Sequence, residues 1–274
     1  MAFDHELILP NEDLPFRLFA FEGKDGNYIR DKHWHRSVEI FAVCDGEITF
    51  YIDDKRYTLQ AGEFMLVNSN EVHAVHAPRP NKTIVLQIPL AMFGSYCTEE
   101  NYIFFTHDPG KRDKKLMEMI QEMYEVYIKK ERGYDMKVKG IFYLLLHLLV
   151  SEYQKTDITG EQLRRNKNLN KLSAITSYIK ENYTSDLSLE SVADHFDYTP
   201  TYLSKMFRIY AGISFKAYIQ DVRLRNAIKD IQRGEDSLSS IAMKYGFSGS
   251  RAMARSFQKK YGMLPSEYKK KNLK

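Results

Sequence analysis

The chain has 274 residues, 43% of them hydrophobic, with 40 Lys+Arg against 36 Asp+Glu, a size near which a single core gives way to two. Two cysteines are too few for a disulfide framework, which points to a reducing, cytoplasmic compartment. The longest apolar run, residues 141–150, is interrupted by His147 and is about half a membrane span, and the opening MAFDHELILP lacks the basic-then-apolar order of a secretory signal.

Charge is divided unevenly along the chain. Residues 169–274 hold 18 basic and 10 acidic side chains, net +8, whereas residues 1–168 hold 22 and 26, net −4. A basic C-terminal third suits a phosphate backbone, because each neutralised phosphate releases counterions. Charge alone is a weak signal, because charged faces are usually just solvated.

Residues 1–105 read as strands. The stretch EIFAVCDGEITFYIDDKRYTL alternates polar and apolar residues around Asp45-Gly46 and Asp53-Asp54, both hairpin-turn signals. His33, His35 and Glu39 are all odd-numbered, so one continuous strand would point them the same way. Gly46, Gly62 and His73 follow. This H-x-H-x3-E-x6-G…G…H pattern resembles the two motifs of the cupin barrel, in which three His and one Glu hold a divalent metal. The resemblance implies a cupin-like β-barrel. In it His33, His35, Glu39 and His73 form a divalent transition-metal site, a metal-free polar lining of an effector pocket, or fold-supporting contacts. One departure stands in the second motif, where Asn68 and Asn70 replace the usual Pro and Gly. Trp34, Phe50, Tyr51 and Tyr57 are candidates to stack on a sugar or, as isolated aromatics in strands, to fill the core.

Residues 106–155 read as helical. Leu116, Ile120, Met123, Tyr124 and Tyr127 form a stripe at helical spacing, Gly133 punctuates it, and a second helix is expected from about 135 to 154. These helices pack on their own barrel or pair with a second protomer. The polar stretch TDITGEQLRRNKN, 156–168, reads as a linker.

The last block, 169–274, contains one pattern twice. Val192-Ala193, Tyr198, Leu203, Phe207, Gly212 and Tyr218 recur as Ile241-Ala242, Phe247, Met253, Phe257, Gly262 and Tyr268, offset by 49 residues before the turn and 50 after it. Each copy is a short amphipathic helix, a tight turn and a second helix, which predicts helix-turn-helix units at about 187–208 and 238–259. Thr199 is the expected N-cap of the first recognition helix, with Pro200 at its first position; Ser248 is the expected cap of the second. With Leu203, Phe207, Met253 and Phe257 turned inward, Thr201, Tyr202, Ser204, Lys205 and Arg208 face outward on one helix. Ser250, Arg251, Ala254, Arg255 and Gln258 do so on the other. Short donors and long cations of this kind reach base edges and phosphates in a major groove. Arg208 and Gln258, further along, suit the DNA backbone.

The segment RLRNAIKDI…SLSSIAMKYGFSGSRAMARSFQKKYGMLPSEYKK, with Arg223, Ala227, Ile241-Ala242, Gly246-Phe247, Arg255, Phe257, Gly262, Pro265 and Tyr268, resembles the C-terminal signature of the AraC/XylS family of bacterial transcription regulators. With the first repeat the match covers about 170–270. The resemblance implies a multidomain chain: a cupin-like β-barrel with an α-helical hairpin, then an all-α domain with two helix-turn-helix units joined by a helix around 213–231. It implies double-stranded DNA as partner, read in successive major grooves ~34 Å apart. It further implies a small-molecule effector, with carbohydrate the first class to test, a homodimer, and RNA polymerase as a partner if the chain is an activator; activator and repressor both stay open. Ala252 and Met253 depart from the family's bulkier pair, and Met253 still suits the core. The competing class is a metal-dependent cupin enzyme with a DNA-binding appendage. It needs an open coordination site, and no nucleophile elbow or phosphate loop is present.

Overall fold

A computed structural model describes residues 4–6, 8–23, 28–52, 55–96, 102–106, 112–233 and 236–272. It divides into two compact units, 3–170 and 171–274.

Among the described residues the N-terminal unit has eight strands: β1 (Asp4–His5), β2 (Arg17–Glu22), β3 (Tyr28–Trp34), β4 (Val38–Ile52), β5 (Lys55–Gln60), β6 (Phe64–Val67), β7 (His73–Ala77) and β8 (Asn81–Ile88). The hydrogen-bonded order is β1-β3-β7-β4-β8-β2, with β5 and β6 also on β4. The 15-residue β4 makes this curl. Its first half pairs with β6 and β8, its second with β5 and β7.

The bend in β4 is where a hairpin turn was expected. Asp45-Gly46 lies inside the strand, at a register shift between Val43 and Asp45 against β8. The extra residue inverts side-chain parity. Before it, Phe41 and Val43 enter the inner core; after it, Ile48, Phe50 and Ile52 do. Gly46 is held at φ 74°, and a Cβ there would sit 2.3 Å from the Pro80 carbonyl oxygen, so only glycine suits the bend. The second expected turn, Asp53-Asp54, lies outside the described residues. So does Cys97, and Cys44 is a free thiol.

The other face of the β2-β8-β4-β6 layer carries Leu18, Ile40, Ala42, Leu66, Ile84 and Leu86, packed with helices α1 (Lys114–Lys129) and α2 (Tyr134–Leu148) through Leu116, Ile120, Met123, Phe142 and Leu145. Hydrophobic on both faces, this layer reads as near-continuous apolar runs such as TIVLQI rather than clean alternation. Asp113 caps α1 by accepting from the Leu116 N–H at 3.0 Å, and α2 runs on as a π-turn to Tyr153. The segment expected as a linker is non-helical only to residue 159. From Gly160 to Asn182 it is one helix, α3, and the division between units falls within that helix. Among the described residues no helix is long and apolar enough to cross a membrane.

The C-terminal unit continues with α4 (Leu189–His195), α5 (Pro200–Met206, extended as a π-turn to Ala211), α6 (Phe215–Arg233), α7 (Leu238–Lys244), α8 (Ser250–Tyr261) and α9 (Pro265–Asn272). Leu224, Ala227, Ile231, Ile241, Ala242, Phe247, Met253 and Phe257 form the core around its second half.

Candidate functional sites

The two helix-turn-helix units are set by local chemistry. Ser188 and Ser191 exchange hydrogen bonds, each hydroxyl accepting from the other's backbone N–H at 3.0 Å, a reciprocal cap that starts α4. Asp197 turns the chain at φ 56°, Thr199 accepts from the Tyr202 N–H at 3.2 Å, and Pro200 opens α5. The second unit differs. Ser237 caps α7, but α8 begins after Gly249 at φ 149° with no side-chain cap, so Ser248 does not have the capping role expected of it. Gly249 sits in a conformation side chains rarely adopt, and this displaces the cap.

One buried cation ties the unit together. Arg223 on α6 donates through Nε to the Tyr183 carbonyl at 2.7 Å and through Nη2 to that of Ser185 at 2.8 Å. Gly246, from the turn of the second unit, approaches the same stretch so closely that a Cβ would lie 2.7 Å from the Thr184 carbonyl oxygen. Sequence reasoning noted both residues as signature positions without this role. The signal was an arginine among apolar residues of α6.

The recognition faces are arranged as their spacing implies. Leu203, Phe207, Met253 and Phe257 are fully buried. Thr201, Tyr202, Lys205, Arg208, Arg251, Arg255 and Gln258 are exposed, and Ser204, Ser250 and Ala254 half-buried. Elsewhere in the unit Arg225 and Lys260 pair with Asp221 and Lys244 with Asp230. Lys205, Arg208, Arg251 and Arg255 have no such acidic partner among the described residues.

The second site lies inside the barrel, where His33, His35, Glu39 and His73 are each at most 3% exposed. They do not share one strand. His33 is on β3 and His35 follows its end; Glu39 is on β4, in register with Val67 and Gln87, while His33 pairs with His73. The curl of the sheet brings them together. Their ligand atoms all lie within 4.8 Å of one another.

The donor set meets the requirements of a metal. Each imidazole donates Nδ1–H to a carbonyl two residues away: His33 to Asp31 at 2.9 Å, His35 to Ser37 at 3.1 Å, His73 to Glu71 at 2.9 Å. Such outer bonds fix the tautomer and leave Nε2 as the inward donor. The Nε2 atoms of His35 and His73 converge on one carboxylate oxygen, 2.9 and 3.1 Å from Glu39 Oε2. Glu39 Oε1 accepts from Gln87 Nε2 at 2.7 Å. Ligands about 2.1 Å from one ion lie about 3.4 Å apart in a tetrahedron and at most about 4.2 Å when opposite one another, so the cluster would contract to gather all four.

Burial alone would raise the Glu39 carboxyl, but the neighbouring His35 and His73 outweigh it and hold it below the usual carboxylate range. Burial works against a charged His73, and the Glu39 carboxylate overrides it, raising that imidazole. Burial, with the positive charge of its neighbours, pushes His33 down to about 2. Glu6, its Oε2 3.3 Å from His33 Nε2 and 2.8 Å from Arg30 Nη2, and Gln87 complete the surroundings. Sequence reading missed both. Gln87 was visible as a lone polar residue in an apolar run; Glu6 carried no signal.

The aromatics proposed for sugar stacking divide. Trp34 and Phe50 have no exposed surface, and Phe50 belongs to the inner core. Tyr51 and Tyr57 are half-buried. The two asparagines that depart from the cupin pattern have structural reasons. Asn70 takes φ 64°, a conformation asparagine tolerates in place of glycine. Asn68 brackets Phe105, accepting its N–H at 2.7 Å and donating to its carbonyl at 3.1 Å.

Two family models match the chain, the AraC-like ligand binding domain over residues 16–146 and a helix-turn-helix domain over 192–271. The chain belongs to the AraC family of transcriptional regulators. YpdC, an uncharacterized HTH-type transcriptional regulator of Escherichia coli K12, is 34% identical over 95 residues, covering 35% of this chain and 33% of its own. A regulator of the same description from Staphylococcus aureus MSSA476 is 18% identical over 227 residues, 83% of this chain and 30% of its own. The chain thus spans about a third of the length of these curated relatives. ToxT of Vibrio cholerae O395 has a similar fold, with a TM-score of 0.52 at 16% identity over 93% of this chain and 96% of that one.

Proposed function

We propose that the protein is a sequence-specific reader of double-stranded DNA whose barrel holds a divalent transition metal and responds to a small effector. The carrying observation is the pair of outward faces on α5 and α8, where four exposed cations, Lys205, Arg208, Arg251 and Arg255, have no acidic partner among the described residues. Cations near the start of each helix reach base edges, and those further along meet phosphates. Selection of binding sites from a randomised duplex pool with the full chain tests this. The expected product is a motif of two short elements about one helical turn apart; an unenriched pool would overturn the reading.

In the barrel, His33, His35, Glu39 and His73 would hold the ion, which would supply a fixed positive charge among buried donors. The support is four buried ligand atoms within 4.8 Å of one another and three imidazoles already oriented by their carbonyl partners. Elemental analysis of the purified chain should give about one zinc, manganese, iron, cobalt or nickel ion per protomer, lost in His73→Ala. For assembly, Met136, Tyr143 and Leu144 are large exposed apolar residues at helical spacing on α2, and they support a homodimer formed through that helix.

A further inference from the structure

The N-terminal unit has a cavity beside the histidine cluster, whose His73 donates Nδ1–H to the Glu71 carbonyl at 2.9 Å and whose His35 carbonyl accepts from the Asn70 N–H at 2.7 Å. The cavity, of about 390 Å³, is walled by the 68–71 loop, the 104–106 segment, Lys155 and the first turns of α3. Two of its buried polar groups have no partner, the Ser69 hydroxyl and the Asn70 carbonyl oxygen. The Asn70 case follows from its own geometry. Its amide donates to Asn166 Oδ1 and, at 2.9 Å, to Asn170 Oδ1, both on α3. Both amide protons are used, and the oxygen is left bare.

An unsatisfied buried group costs about 1–3 kcal/mol, so two in one wall mark a place where something else supplies the bonds. The space is of the size that metabolite sites have and well beyond one water. Asn70 Oδ1 can only accept, so the occupant must donate. Lys155 and Arg165 bring positive charge to the wall against the single carboxylate of Glu71, which already accepts from the Asn68 N–H at 2.9 Å. Phe105 and Leu169 add apolar surface.

We infer that this cavity binds a small organic anion, a carboxylate or phosphate ester, that also carries a hydroxyl or ammonium donor. The anionic group lies toward Lys155 and Arg165, and the donor meets Asn70 Oδ1 beside the Ser69 hydroxyl. This names an effector class for the sensor proposed above, and only its regulatory meaning rests on that proposal. Because Asn70 is bonded to two residues of α3, an occupant there bears directly on that helix.

Calorimetric titration of the full chain tests the site with gluconate as the carboxylate, glucose 6-phosphate as the phosphate ester, and acetate, sulfate and glucose as probes lacking one feature each. At least one of the first two should bind at concentrations below about 10 mM and the last three much more weakly; the stronger of the two names the anion. Lys155→Met should weaken binding about tenfold. Ser69→Ala removes a buried unpaired hydroxyl, so it should weaken binding while the free protein melts no lower. Failure of both hydroxylated anions to bind, equal binding of acetate or sulfate, or affinity unchanged in both variants would overturn the inference. None of these readouts involves DNA, so the DNA-reading proposal stands or falls separately.

Discussion

The barrel site and the recognition faces treat charged side chains in opposite ways. In the barrel, three imidazoles and a carboxylate are buried, and every outer nitrogen is committed to a backbone carbonyl. On α5 and α8 four cations are exposed and have no acidic partner among the described residues, though Arg225, Lys244 and Lys260 nearby are paired. Orientation in advance suits one small ion, since the cost of ordering the donors is met on folding. Withheld partners suit a polyanion that must be bound and released. The contrast supports an internal role for the charges the fold partners and an external one for those it leaves on the surface.

The largest test of that contrast is Glu39→Ala. It strips the carboxylate from between buried histidines and should cost about 3–5 kcal/mol of stability in urea unfolding, with loss of bound metal. A variant as stable as the parent would show that the four side chains are not held as a unit. Next is Gly246→Ala, which places a side chain at φ 77° and within 2.7 Å of a backbone oxygen. A loss of about 2 kcal/mol or more is expected, read as a lower melting temperature, with metal content unchanged. Arg251→Ala should leave melting alone and cost about 1–3 kcal/mol on a selected duplex while relaxing preference at one or two base pairs. Smallest is Arg208→Ala, expected to weaken binding nearly equally on all sequences and to lower the salt slope by about 1.

What the sequence made legible follows the range of the forces involved. The recognition helices depend on contacts within a turn or two, such as Thr199 with Tyr202, Pro200 at the first helical position and Leu203 with Phe207, so their spacing carried the answer. The exception is also local, for Gly249 takes a backbone conformation that moves the cap away from Ser248. In the barrel the four site residues were nameable, but their geometry was not. Strand parity placed His33, His35 and Glu39 on one strand, whereas pairing between distant strands brings them together. The same non-local pairing turned Asp45-Gly46 into a bend inside β4. The polar composition of 156–168 hid a helix whose Asn166 is buried against Asn70, a contact nearly a hundred residues away that no local pattern announces.

The most direct test of the central claim, that outward cations of the recognition helices read sequence, is Arg255→Ala. Its affinity is measured on the selected duplex and on a scrambled one, with a melting curve of the same preparation. Arg255 is exposed and has no acidic partner among the described residues. The melting temperature should therefore stay unchanged while the ratio of the two affinities falls about tenfold. A lower melting temperature with an unchanged ratio would make Arg255 a structural residue and contradict the account.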